Sequence, residues 1–183
     1  MNRLRPGGVR FLMIDIQEKL LPHICDHAEI RENSLRLLAA ARLLDIPVVY
    51  TEQYPKGIGR TDEKIARAIP EGATRFEKMS FSCLDSPGFV DYCGLGDTSL
   101  VNVVWGIEAH ICLMSTVMDM IERDLPTAVV IDASGSRRRE NRDAALDAMR
   151  LAGVLAIPTE SVVYQLLEIS GTDMFKAMLP FFK

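Results

Sequence analysis

The chain has 183 residues, 48% of them apolar and 25% charged, a balance that fits a folded protein with a substantial core and excludes a disordered or fibrous chain. Its formal net charge of −4 and pI near 5.4 give no electrostatic footprint for nucleic acid, so no polynucleotide partner is expected. No apolar run approaches the ~20 residues that a membrane helix requires and no secretory leader pattern precedes Val9, so the expected setting is cytoplasmic, with no membrane partner.

In chain order, Val9–Ile16 (VRFLMIDI) predicts a first strand apolar enough for the middle of a sheet. Asp15 comes at its carboxyl end. A carboxylate set in MIDIQ is costly to bury unless it is paired, so Asp15 either opens a loop or serves a site. His23, Cys25 and His27 resemble a metal cluster, but Pro22 precedes them and no acidic residue follows at a standard spacing, which favours a loop and a helix start. Residues 28–44 read as an amphipathic helix, with Leu37, Leu38, Ala41 and Leu44 as its apolar stripe. A second strand, Val48–Glu52, leads into the Pro- and Gly-rich run QYPKGIGRT, at the sheet edge where Asp15 emerges. Thr74–Met79 predicts a short third strand with Lys78 at its end, a place where a lysine is ordinarily a solvated terminus. Residues 85–95 predict a helix.

Val101–Trp105 is a further buried strand, stopped by Gly106. From Ala109 onward Ile111, Met114, Val117, Met118 and Ile121 recur at helical spacing, which puts Cys112 in the first turn of a helix. There the free N–H groups and the helix dipole favour thiolate over thiol. The competing reading is a small buried hydrophobe. Pro126–Asp132 predicts the fifth strand. Arg137, Arg138 and Arg139 read as a solvated face paired with Glu140. A helix over Ala144–Leu151 turns Ala145, Met149 and Ala152 inward, Val154–Ile157 forms the sixth strand, and Thr159–Leu167 and Asp173–Leu179 are helical. Cys25, Cys83, Cys93 and Cys112 show neither CxxC spacing nor the density of a disulfide scaffold. Strands alternating with helices indicate a parallel sheet covered on both sides, in one domain over 1–183. Asp15, Lys78 and the Cys112 turn all fall at the carboxyl ends of strands, where such sheets form their ligand crevices.

The segment GIEAHICLMSTVMDM resembles the nucleophile turn of the isochorismatase-like hydrolases, the cysteine hydrolase superfamily that includes nicotinamidases and N-carbamoylsarcosine amidohydrolase. Asp15-Ile16-Gln17 is similar to the D-x-Q pattern that follows strand one in that family, KMSFS to its lysine run, and TEQYP with the lysine and glycines after it to the isochorismatase-domain protein branch. The resemblance implies a three-layer α/β/α, Rossmann-like fold on a six-stranded, mainly parallel sheet. It implies Asp15, Lys78 and Cys112 as catalytic residues, an oxyanion hole from the N–H groups of Glu108 and Cys112, and a cis peptide between Ile107 and Glu108. Candidates for the substrate pocket are Gln17, Gln53, Tyr54 and Phe81. The implied activity is hydrolysis of a small amide-type C–N substrate through a Cys112 thioester, in a homo-oligomer. Nicotinamidases hold a metal with an aspartate and two histidines in the region of residues 51–60, where this chain has neither residue type, so no metal and no cofactor are expected. Two other readings stay open: a thiol-based redox protein, and a catalytically silent scaffold on a hydrolase fold.

Overall fold

The computed structural model describes residues 3–182. Six strands form one sheet: β1 (Val9–Ile14), β2 (Val48–Gln53), β3 (Thr74–Lys78), β4 (Val101–Gly106), β5 (Thr127–Val130) and β6 (Leu155–Ile157). All neighbours are parallel, in the order β3-β2-β1-β4-β5-β6. The α-helices among the described residues are α1 (His27–Leu43), α2 (Pro55–Ile58), α3 (Glu63–Ala68), α4 (Phe89–Tyr92), α5 (Met114–Glu122), α6 (Arg139–Leu151), α7 (Thr159–Leu167) and α8 (Asp173–Met178). None is long and apolar enough to cross a membrane.

The layers follow from the two-residue period of a strand. Phe11 and Met13 of β1 join Trp105 in a core covered by Leu37 and Leu38 of α1 and Val162, Val163 and Leu166 of α7. Leu12 and Ile14 face the other way, into a core built with Val117 and Met120 of α5 and Leu146 and Met149 of α6. Phe11 and Trp105 meet edge to face at 5.5 Å between centroids. The Trp105 indole N–H donates to Ser34 Oγ at 3.1 Å, so the one polar atom of this buried ring is satisfied.

The strand order reverses between β1 and β4, the place where open α/β sheets leave a crevice. There the two chains touch. Gly106 has φ +147°, and a Cβ on it would lie 2.0 Å from the Ile14 carbonyl oxygen. The Ile107 N–H donates to that same oxygen at 3.0 Å. Only glycine permits this approach, which sets the end of β1 against the turn that leads to Cys112.

Several boundaries differ from the sequence-based reading. β1 ends at Ile14 because Asp15 adopts φ +53° and turns the chain out of the sheet. The helix expected over 85–95 shrinks to α4, bracketed by Gly88 and Gly94 at φ +78° and +65°. The loop after β2 contains α2 and runs into α3, whose first turn is capped by the Asp62 carboxylate accepting the Ile65 N–H at 3.4 Å. α6 begins at Arg139, and Leu146 rather than the exposed Ala152 completes its inner face. The arginine run pairs with Glu108 and Asp26, through Arg137 and Arg139, and not with Glu140.

Replacing Gly106 by Ala forces a methyl into the Ile14 carbonyl at a φ hostile to side chains. A loss of about 3 kcal/mol is expected, combining overpacking with backbone strain. Urea unfolding followed by far-UV circular dichroism measures it.

Candidate active site

Asp15 leaves β1 and Lys78 closes β3, with β2 between them. The lysine reaches across the end of β2 to bring its Nζ 2.7 Å from Asp15 Oδ2, and neither side chain has any exposed surface. Residues of β2 serve both partners. The Thr51 hydroxyl donates to Asp15 Oδ1 at 2.7 Å, and Gln53 Oε1 accepts from Lys78 Nζ at 2.7 Å. The carbonyls of Ser80 and Phe81 accept from the same ammonium at 3.2 Å each. Asp15 Oδ2 stands against the ammonium out of line for a hydrogen bond, and takes none from any other donor among the described residues. Burial is the strongest single influence and works against the Lys78 cation, but the Asp15 charge, joined by smaller contributions from Cys83 and Cys112, holds the ammonium above its ordinary pKa.

Cys112 enters this cluster on a turn that is not an ordinary helix start. Residues Ala109–Leu113 form one π turn, and α5 begins after it, at Met114. The Glu108 carbonyl accepts from Ile111 N–H at 3.0 Å and from Leu113 N–H at 3.3 Å, passing over the Cys112 N–H between them. The Ile107–Glu108 peptide is cis. Behind the turn, Thr116 Oγ donates to the Cys112 carbonyl at 2.7 Å and accepts the Cys83 N–H at 3.0 Å. The structure therefore gathers Asp15, Lys78, Cys112, Ile107 and Glu108 at one end of the sheet.

The four other residues expected there divide. Gln17 is fully buried and tied up internally: its amide nitrogen donates to Gln53 O at 3.0 Å and Gly59 O at 2.6 Å, and its oxygen accepts the Gln53 N–H at 2.8 Å. Gln53 spends its own amide on Lys78 and on the Met79 carbonyl, at 2.7 Å each. Tyr54 lines a cavity of about 520 Å³ together with Phe76, Met79, Asp85 and Pro87. Lys78 belongs to that wall, whereas Asp15 and Cys112 do not, so the cavity adjoins the ion pair without enclosing the thiol. Phe81 is not part of the wall, and its ring is 62% exposed.

The Isochorismatase domain family model matches residues 10–161. The chain belongs to the isochorismatase family. It is 36% identical over 176 residues to isochorismatase domain-containing protein 2 of Danio rerio, covering 96% of this chain and 87% of that one. A solved Caenorhabditis elegans structure described as MAR1 ribonuclease superposes with a TM-score of 0.90 at 34% identity, over 98% of this chain and 92% of the other. The Escherichia coli YcaC gene product, described as an octameric hydrolase of unknown specificity, shares the fold with a TM-score of 0.87 at 22% identity, over 98% and 92% of the two chains.

Within this isochorismatase domain the thiol is the surprise. Burial pushes the Cys112 pKa up to about 12; the Asp15 charge adds to that and Lys78 opposes it. The resting nucleophile candidate is a protonated thiol, not the thiolate that a helix start predicts. Cys83, fully buried beside Lys78, is likewise pushed up to about 12, chiefly by burial. Thr51 is a site neighbour that sequence reading passed over, whereas Cys83 reads from sequence as a structural cysteine. For Thr51 a signal existed, since it precedes Gln53 by two and so shares its face of β2.

Two results are expected. Asp15→Asn removes a charge that disfavours the thiolate, so the Cys112 alkylation midpoint falls below about 12, whereas Lys78→Met moves it further up. Iodoacetamide labelling against pH, read by peptide mass spectrometry, reports both shifts. Lys78→Met also strands the Asp15 carboxylate in the interior, at an expected cost of about 3–5 kcal/mol in urea unfolding.

Proposed function

We propose that this isochorismatase-family protein is a cysteine hydrolase acting on small amide-type C–N substrates, with Cys112 as nucleophile, Asp15 as proton carrier and Lys78 as the charge that holds Asp15. The observation that carries this reading is Asp15 Oδ2, buried, 2.7 Å from an ammonium and free of any aligned hydrogen bond, at the end of the sheet where the Cys112 turn emerges and close enough for its charge to act on the thiol. A carboxylate so placed can take a proton at the moment the thiol attacks. The sulfur bonds to the substrate carbonyl carbon while its proton passes to Asp15, and the carbonyl oxygen gains negative charge. N–H groups of Glu108 and Cys112 receive that oxyanion. Collapse breaks the C–N bond, and the leaving amine takes the proton from Asp15, giving a thioester. Water then gives up a proton to Asp15, attacks the thioester carbon and releases the acid, and the proton returns to sulfur. Lys78 stays protonated throughout.

The ribonuclease description of the Caenorhabditis elegans structure makes RNA the natural comparison substrate. A net charge of −4 and a cavity of about 520 Å³ favour a small molecule here. The test is a panel of small amides run beside single-stranded RNA, with hydroxylamine added to capture a thioester. Cys112→Ser and Asp15→Asn are each expected to lower amide turnover by about 10²- to 10⁴-fold. Amide turnover that survives Cys112→Ser, or turnover of RNA alone, sinks the reading.

We further propose a homo-oligomer. Met79 and Phe81, 69% and 62% exposed, flank the Lys78 end of the sheet as an apolar rim that a second copy would cover. Light scattering on the eluting protein is expected to give a multiple of 20.4 kDa; a species of that mass alone refutes it.

A further inference from the structure

The loop after β5 lies along the turn that carries Cys112. Ala109 N–H donates to the Gly135 carbonyl at 2.7 Å, and Gly135 N–H to the Gly106 carbonyl at 3.2 Å. His110 Nδ1 is 2.9 Å from Ser136 Oγ. From behind, the loop is seated on the core: a Cβ on Gly135 would come within 2.2 Å of Ile30 and 2.7 Å of Ile24. The loop is therefore a shelf that the turn can be fastened to. The fastening is the Glu108 side chain, only 7% exposed. Its Oε2 accepts the Arg137 N–H at 3.1 Å, and its Oε1 pairs with Arg137 Nε at 3.0 Å. His110 Nδ1 is 4.0 Å from Oε2, and the Cys25 thiol caps the Arg137 carbonyl at 2.9 Å.

We propose that the Glu108 side chain is a positioning residue for acyl transfer: by gripping Arg137 on the shelf it fixes the peptide unit whose own N–H faces the developing oxyanion. The inference rests on the hydrolase reading above, and adds a role for a side chain that touches neither the thiol nor Asp15. A donor stabilises an oxyanion only while it is aimed at the place where the charge appears, so a carboxylate locking both its atoms onto a seated loop serves orientation. Glu108 leaves thiol ionisation untouched. It acts only on reactions that build charge on a carbonyl oxygen.

That difference provides the test. With 4-nitrophenyl acetate the Cys112 sulfur bonds to the acetyl carbon, the bond to 4-nitrophenolate breaks, and Asp15 keeps the thiol proton; an oxyanion forms on the way. With iodoacetamide the same sulfur displaces iodide and no oxyanion forms. Glu108→Ala is expected to slow the nitrophenolate burst about tenfold or more while Cys112 alkylation stays within about twofold of wild type. Glu108→Gln keeps an acceptor for the Arg137 N–H and is expected to recover most of the burst. If Glu108→Ala does not fold, Arg137→Ala, which removes the ion pair alone, is expected to slow the burst severalfold with alkylation unchanged. A burst unaffected in these variants, or a burst and an alkylation rate that fall together, overturns the proposal. A wild-type protein that alkylates at Cys112 but gives no burst overturns the hydrolase reading itself, and this role with it.

Discussion

The rest of the structure is arranged around one buried ion pair. Asp15 and Lys78 are withdrawn from water completely, and such a pair is sustained only if its geometry is good and its remaining hydrogen-bonding capacity is met. The sheet order accounts for the geometry, since a lysine ending β3 can cross the end of β2 to a residue just beyond β1. β2 supplies the remaining partners from one of its faces, through Thr51 and Gln53. Its other face carries Glu52, whose carboxylate accepts Thr61 N–H and Oγ–H at 2.8 Å each and pairs with Arg75 at 2.6 Å. Burial pushes the Glu52 carboxyl up, but the Thr61 N–H, Arg75 and the Thr61 hydroxyl together hold it below its ordinary value. One strand thus braces the ion pair on one side and anchors the 54–62 segment on the other.

Burial sets the state of Cys112, and the same ion pair modulates it. A carboxylate and an ammonium act in opposite directions on a nearby thiol, and in this dry setting burial sides with the carboxylate. In the proposed hydrolase Cys112 therefore stays protonated until a substrate arrives, in contrast to cysteines kept as permanent thiolates at helix N-termini. A buried neutral thiol is also a poor target for oxidants, which weighs against a redox role.

Much of this was legible from residues alone. Apolar strands alternating with amphipathic helices are enough for a parallel three-layer sheet, and the positions of Asp15, Lys78 and Cys112 at strand ends place them at one edge. What could not be read depends on long-range contact. The helix expected over residues 85–95 fails because Gly88 and Gly94 take positive φ, a conformation that apolar periodicity does not register. The start of the Cys112 helix was misread because a π turn inserts one residue into a pattern that otherwise looks regular. The sign of the thiol shift required knowing how deeply Cys112 is buried, and that the charge of Asp15, 97 residues earlier in the chain, acts in the same direction. Glu108 and Arg137 are 29 residues apart, and nothing local marks them as a pair.

Lys78 takes two of its contacts from main-chain oxygens, those of Ser80 and Phe81, rather than from side chains. Any amino acid offers the same carbonyl. The outward ring of Phe81 and the side chain of Met79 can therefore be exchanged by mutation without altering the electrostatic environment of the ammonium. The charged centre and the rim around it are separable in inheritance: positions 79 and 81 can change the outer surface while the buried ion pair beneath stays unchanged.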